Sequence, residues 1–285
     1  MFATMTQEKQ FITVDGHQIA YITAGDPTAP PLLLVHGWLS HARVWRQTLD
    51  ALQDQYFLVS IDLLGHGHSD KPRDGDYSIP AQAGRVLAVA DALDLEPFTV
   101  IGHSMGGQIG LYLGIHAPER IAAIVSVSGV VAGKLSAYVR YVLTPIYWQG
   151  ALLPFTWNIS RALLRYPWYF NIFNYALTHP QFQRPPFEED EDLQMGIIPG
   201  IEIPAYRDLQ AIAAVDLTAS LEEIAAPTLA IFGREDKTVP RINAELIEQL
   251  VPQGRVVWIE RCGHAPMIEQ PVPYLDALRE FLGAL

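Results

Sequence analysis

A single cysteine, Cys262, stands among 285 residues. No intrachain disulfide is possible, and nothing in the composition calls for an oxidising compartment, so a cytoplasmic setting is the expectation. Basic residues are scarce as well: 19 Lys and Arg face 31 Asp and Glu, a net charge of −12. That balance argues against a nucleic-acid partner, whose phosphates are neutralised by cations. The first ten residues, MFATMTQEKQ, lack the basic patch and apolar stretch of a signal peptide. The longest uncharged stretch, YVLTPIYWQGALLPFTWNIS at 141–160, reaches the ~20 residues of a membrane span. Pro145, Gln149, Gly150, Pro154 and Asn158 interrupt it, so a buried or interfacial segment is expected, with weak membrane-surface contact as a reading to test. Metal-ligand spacing is also missing. His66, His68 and His103 fall in glycine-rich loops without paired cysteine or carboxylate, and no glycine loop has the context of a dinucleotide or phosphate site, so neither metal nor cofactor is expected.

What the sequence does contain is apolar: 49% of the residues, enough for a large core. FITVDGHQIAYITAG reads as a hairpin turning at Asp15-Gly16. PLLLVHGW and YFLVSIDLLGHG each pair an apolar strand with a glycine-bearing loop. Helical spacing marks residues 44–52, 80–94, 105–116, 241–250 and 273–283, and apolar strands are expected at 98–102, 121–128 and 255–260. The alternation implies a parallel sheet flanked by helices. It fails between about Val131 and Asp216, where aromatics, prolines and the acidic run FEEDED (187–192) replace it. We therefore expect an α/β core over 1–130 and 217–285 carrying a mainly helical cap insertion at 131–216. The FEEDED run is expected to be a solvated face.

The stretch VIGHSMGGQIG (100–110) places Ser104 at a strand-to-helix corner with glycine two residues away on either side. Gly102 and Gly106 allow strand and helix to approach, and the turn lifts the hydroxyl out of the core. A serine hydroxyl is a weak nucleophile that needs a base and a group to orient that base. Asp236, in FGREDKTVP, and His264, in RCGHAPMIEQP, follow Ser104 in the order serine, acid, histidine. Each lies just after an expected strand, at the sheet edge where open α/β folds collect their sites. Oxyanion donors are expected from the backbone amides of Met105, at the start of the next helix, and Trp38, in VHGW. Asp62, Gly65, Gly67 and Ser69 read as a loop behind that turn, and Cys262 as a small buried residue.

The motifs HGW (36–38), DLLGHGHSDKP (62–72), GHSMGG (102–107), GREDKTVP (233–240) and CGHAPMIEQP (262–271) together resemble the α/β-hydrolase fold, in its serine-nucleophile branch with a cap domain. Epoxide hydrolases and haloalkane dehalogenases share several of these signatures but have aspartate where Ser104 stands. The resemblance implies a cofactor-free esterase- or lipase-like hydrolase of carboxylic esters with an apolar acyl or aromatic portion. Carbon–carbon bond hydrolases of ring-cleavage products, perhydrolase- or haloperoxidase-like enzymes and ligand receptors on this fold share the motifs and remain open. Within the insertion, Tyr147, Trp148, Phe155, Trp157 and Trp168 are candidate substrate-binding residues, with packing of the cap onto the core as the alternative. The oligomeric state is not readable.

Overall fold

The computed structural model describes residues 8–285, apart from the side chains at positions 154, 173 and 176. The N-terminal stretch read for a signal peptide falls mostly on residues 1–7, outside the described residues.

Strands β1 (Gln10–Val14) and β2 (His17–Ala24) form the expected hairpin. Asp15 and Gly16 carry φ of 52° and 79°, the left-handed geometry that a two-residue turn requires. Strand β3 (Pro31–Val35) follows, then a 3₁₀ turn (Ala42–Trp45) leading into α1 (Arg46–Leu52), where the sequence suggested a single helix. Next come β4 (Phe57–Ile61), α2 (Ile79–Ala92), β5 (Phe98–His103), α3 (Met105–His116) and β6 (Ile121–Val127). Ser78 caps α2 by accepting the Ala81 N–H, and Pro80 sits in the first turn, the residue types a helix start favours.

After β6 the pattern breaks. A π-helical turn (Val139–Leu143) runs into α4 (Thr144–Leu152), and α5 (Pro154–Leu163), α6 (Pro167–Leu177), α7 (Glu191–Gly196) and α8 (Glu202–Ala214) follow. The core resumes with β7 (Thr228–Gly233), α9 (Ile242–Leu250) and β8 (Gly254–Ile259), and ends in α10 (Pro266–Glu269) and α11 (Pro271–Leu282). Helix α10 is a single turn inside an expected loop.

The eight strands form one sheet in the order β1-β2-β4-β3-β5-β6-β7-β8, parallel except for the pairings of β2 with β1 and β4. Strand β3 pairs with β4 on one side and β5 on the other, so the chain's progression reverses there. Such a switch point opens a crevice at the carboxyl ends of the strands. Alternation along β3 shows why the sheet is covered on both faces: Leu33 and Val35 enter one buried cluster, Leu32 and Leu34 the other. Each buried leucine of this kind contributes roughly 1.5–3 kcal/mol.

The two ends of the insertion meet where Leu217 N–H donates to the Val131 carbonyl at 2.9 Å. Its helices have their own apolar cluster around Tyr147, Trp157, Ile201 and Leu209. Helix α8 is tied to the core: Gln108 donates to the Ile212 and Val215 carbonyls, and the Trp38 indole donates to the Ala205 carbonyl at 2.8 Å. His66 and Asp208, both fully buried, lie 3.3 Å apart across the same junction.

The FEEDED run is the expected solvated face only in part: Glu188, Glu189 and Glu191 are exposed, but its two aspartates are engaged. Asp190 is buried, caps α7 through the Leu193 N–H and pairs with Arg184, while Asp192 pairs with Arg46 at 2.7 Å. Acidic residues at a helix start meet unpaired N–H groups, which outweighs their preference for water. No helix among the described residues is long and apolar enough to cross a membrane. The uncharged 141–160 stretch is broken at Leu153, whose φ of −131° and ψ of 82° separate α4 from α5.

Candidate active site

Ser104 sits between β5 and α3 with φ 54° and ψ −111°, a backbone state that costs about 1–3 kcal/mol and persists only where its surroundings impose it. They do. Its N–H donates to the Val127 carbonyl at 2.9 Å, and its own carbonyl accepts from Gln108 N–H at 3.1 Å. A Cβ at Gly102 would lie 2.1 Å from the Gly106 carbonyl oxygen, and one at Gly106 would lie 2.2 Å from the Val35 oxygen. Only glycine at both positions lets strand, turn and helix come this close.

Asp236 follows β7, and His264 lies in the turn between β8 and α10. The carboxylate accepts from the Thr238 and Val239 N–H groups at 2.7 and 3.0 Å through Oδ1. Its Oδ2 lies 2.8 Å from His264 Nδ1. An ionised carboxylate only accepts, so Nδ1 carries the proton and Nε2 keeps its lone pair. Glu235 faces elsewhere, accepting the Cys262 N–H at 3.0 Å.

Two residues not singled out as parts of the site hold the histidine's backbone. The Glu269 carboxylate accepts the N–H groups of Gly263 and Ala265, on either side of His264, each at 2.9 Å, and the N–H of His179 from the insertion at 2.7 Å. His103 Nε2–H donates to the His264 carbonyl at 2.9 Å. Burial pushes the His103 imidazole well below its ordinary pKa, so it stays neutral with that one proton engaged. The only sequence signal for Glu269 was an acid five residues after His264.

The segment 36–38 lies against the serine corner. A Cβ at Gly37 would meet His103 Nδ1 at 2.9 Å and Ser104 Cβ at 3.0 Å. His36 Nε2 accepts from Leu63 N–H at 3.0 Å, so the proton resides on Nδ1, which donates to the Gly37 carbonyl at 2.7 Å. Burial holds this imidazole at about 4, neutral at physiological pH. The Gly37 carbonyl and the Trp38 N–H belong to one planar peptide unit, so fixing one sets the direction of the other. Behind it, burial opposes charge on Asp62. Hydrogen bonds from His68, the His36 imidazole nearby and the Ala42 N–H nevertheless hold its carboxyl at about 2. The Met105 N–H, in the first turn of α3, has no partner within its own helix.

Ser104 and His264 open together into a cavity of about 100 Å³, narrow beside the ~300–1,000 Å³ of a site for drug-sized ligands. Its walls are mostly aliphatic: Val139, Leu143, Leu164 and Leu177 from the insertion, Met267 and Ile268 from the core. Arg184 and Asp192 add charge. Of the five aromatics expected to bind substrate, Tyr147 alone lines this cavity, with its ring edge-on to Trp38 at 4.7 Å. Trp157 is buried behind Tyr147 with ring centroids 5.1 Å apart. Trp148, Phe155 and Trp168 point outward, 47%, 61% and 61% exposed. The expectation is corrected for these four; for Trp148 the reason is that α4, apolar on both faces, gives no periodicity from which to read the inner one. Cys262 is buried, which pushes its thiol upward, away from the reactive thiolate. No group of three His, Cys, Asp or Glu among the described residues could hold a metal ion.

Residues 30–271 match the alpha/beta hydrolase fold family, and the chain belongs to it. It is 30% identical to the pimeloyl-[acyl-carrier protein] methyl ester esterase of Nitrosomonas europaea over 87% of this chain and 95% of that protein. The enol-lactonase of Burkholderia xenovorans LB400 superposes with a TM-score of 0.81 at 22% identity, covering 96% of this chain and 100% of the other. The 2-hydroxy-6-oxo-6-phenylhexa-2,4-dienoate hydrolase of Rhodococcus sp. strain RHA1 gives 0.78 at 21% identity over 96% and 98%.

Proposed function

We propose that the protein is a serine esterase acting on carboxylic esters with a small apolar portion, and that the β6–β7 insertion is its cap. One observation carries the reading: Ser104 opens into an aliphatic cavity beside His264, whose Nδ1 is fixed at 2.8 Å by Asp236. The esterase from Nitrosomonas europaea at 30% identity supports ester chemistry, and a putative carbamate hydrolase of Pseudomonas syringae, also 30% identical, makes carbamate cleavage the second reading.

In this reading Ser104 Oγ attacks the ester carbonyl while His264 Nε2 takes its proton. Asp236 stabilises the imidazolium that results. The amides of Trp38 and Met105 receive the oxyanion, each worth about 2.7–4 kcal/mol of barrier. His264 returns the proton to the departing alkoxide, leaving an acyl group on Ser104. A water activated by the same Nε2 then releases the acid.

A panel of p-nitrophenyl esters of increasing acyl length, with a ring-cleavage dienoate included, tests it. Multiple turnovers that rise over the first few carbons and then fall, all lost in Ser104→Ala, are the expected result. Turnover of the dienoate alone would replace the reading with carbon–carbon bond hydrolysis. Tight retention of ligand without turnover would make the protein a receptor.

A further inference from the structure

The outer surface of the insertion has a composition unlike the rest of the molecule. Ten of the fourteen exposed large apolar side chains among the described residues lie between Tyr141 and Tyr175. They form faces on consecutive, touching helices. Tyr141, Trp148 and Leu152 recur at helical spacing along the π turn and α4, and Phe155 and Ile159 lie one turn apart on α5. Trp168 and Tyr175 share a face of α6. Helix α4 meets α5 through Tyr147 and Trp157, and α5 meets α6 through the Ser160–Tyr169 hydrogen bond.

Charge sets this region apart a second time. In a chain of net charge −12, residues 134–187 contain no Asp or Glu and five Lys or Arg. Arg184 is engaged with Asp190, but among the described residues no carboxylate pairs with Arg140, Arg161 or Arg165. The guanidinium of Arg140 lies 5.5 Å from the ring centre of exposed Tyr141.

We infer that this face docks the protein onto an anionic lipid surface. Exposed Trp, Tyr and Phe interspersed with arginine suit the interface between headgroups and acyl chains, and each cation near an anionic leaflet adds attraction. Salt screens charges more than about 8–10 Å away, so the charges on and beside this face set its field, and there Glu202, packed against Gly150 of α4, counts against the arginines. A second copy is the poorer occupant. Apposing the face to itself would bring unpaired arginines together with no carboxylate from residues 134–187 to meet them. The same helices turn Val139, Leu143 and Leu164 into the catalytic cavity, so a docked protein would hold its pocket wall at the bilayer. This inference concerns binding and stands apart from the esterase reading.

Flotation of the full-length chain with phosphatidylcholine vesicles, alone or mixed with phosphatidylglycerol, tests it. The protein is expected to float with the anionic vesicles and far less with the zwitterionic ones, and to be released by salt. Arg161→Gln/Arg165→Gln should lower anionic partitioning about tenfold or more, and Leu152→Glu/Ile159→Glu should abolish flotation. Unchanged circular dichroism melts for both variants establish that the fold is intact. Absence of wild-type flotation, or flotation indifferent to both pairs, would overturn the inference. So would a stable dimer in sedimentation velocity that Leu152→Glu/Ile159→Glu converts to monomer, which would assign the face to a second copy.

Discussion

His264 is held by two carboxylates with different tasks: Asp236 fixes its ring, and Glu269 fixes the backbone on either side of it. Replacing Asp236 with Asn keeps the shape but presents an amide to Nδ1, and the tautomer that leaves Nε2 as base is lost. Steady-state kinetics should show kcat down by roughly 10³–10⁴, with KM and the melting temperature little changed. Glu235→Gln, whose carboxylate lies on the Cys262 amide, should leave the rate near that of the wild type, and the reverse pattern would reassign the acid. In the proposed mechanism His36 acts on the oxyanion side, through the Gly37–Trp38 peptide, whose carbonyl it holds. His36→Ala leaves the buried Leu63 N–H and Gly37 carbonyl unpartnered, at about 1–3 kcal/mol for each, and frees the Trp38 amide to rotate. The loss should fall on kcat, up to about 10²-fold, with KM nearly constant, because a misdirected oxyanion donor weakens the transition state and not substrate binding.

At the scale of elements, the turn from β5 to α3 has no room for a methyl group, whereas the exposed middle of α2 has room to spare. Gly106→Ala should abolish soluble folded protein or activity, since the added Cβ would sit 2.2 Å from the Val35 oxygen. Gly84→Ala meets nothing within 4 Å in α2. It should raise stability by about 0.5–1 kcal/mol, visible as a melting temperature higher by a few degrees. The strands and helices of the core were legible because one face or both of each are buried and the apolar spacing shows it. Helix α3, expected at 105–116, begins and ends at those residues. The places of Ser104, Asp236 and His264 after strands, with Asp236 against the His264 ring, were legible through their order in the chain. The inner wall of the pocket was not. In the insertion both faces of α4 are apolar, so Trp148 and Tyr147 look alike in the sequence while one faces solvent and the other the cavity. Asp190 and Glu269 were hidden for another reason: each accepts backbone N–H groups brought to it by folding, and no side-chain pattern announces such partners.

For the whole molecule, buried histidines set the response to acid. Burial holds His36 at about 4 and His103 well below its ordinary pKa, while in the unfolded chain each titrates near 6.5. Between those values the unfolded state binds protons that the folded state refuses, so stability decreases as pH falls from about 6.5 towards 4. His66 and Asp208 do not add to this slope. Burial lowers His66 and raises Asp208, so the folded pair holds one proton; unfolded, the two groups hold about one near pH 5 and fewer above pH 6, so the pair works against the slope only at its upper end. Thermal melts at constant ionic strength should show the melting temperature falling from pH 7 to pH 5, and a flat profile would contradict the burial of these rings.

The central claim, that Ser104 is the nucleophile of an acyl-transfer site, is tested most directly by mass spectrometry of the protein after exposure to an alkyl phosphonate ester. One adduct is predicted, on the peptide containing Ser104, formed in step with loss of esterase activity, absent in Ser104→Ala and much slower in His264→Ala. An adduct on any other residue, or full loss of activity with Ser104 unmodified, would contradict the account.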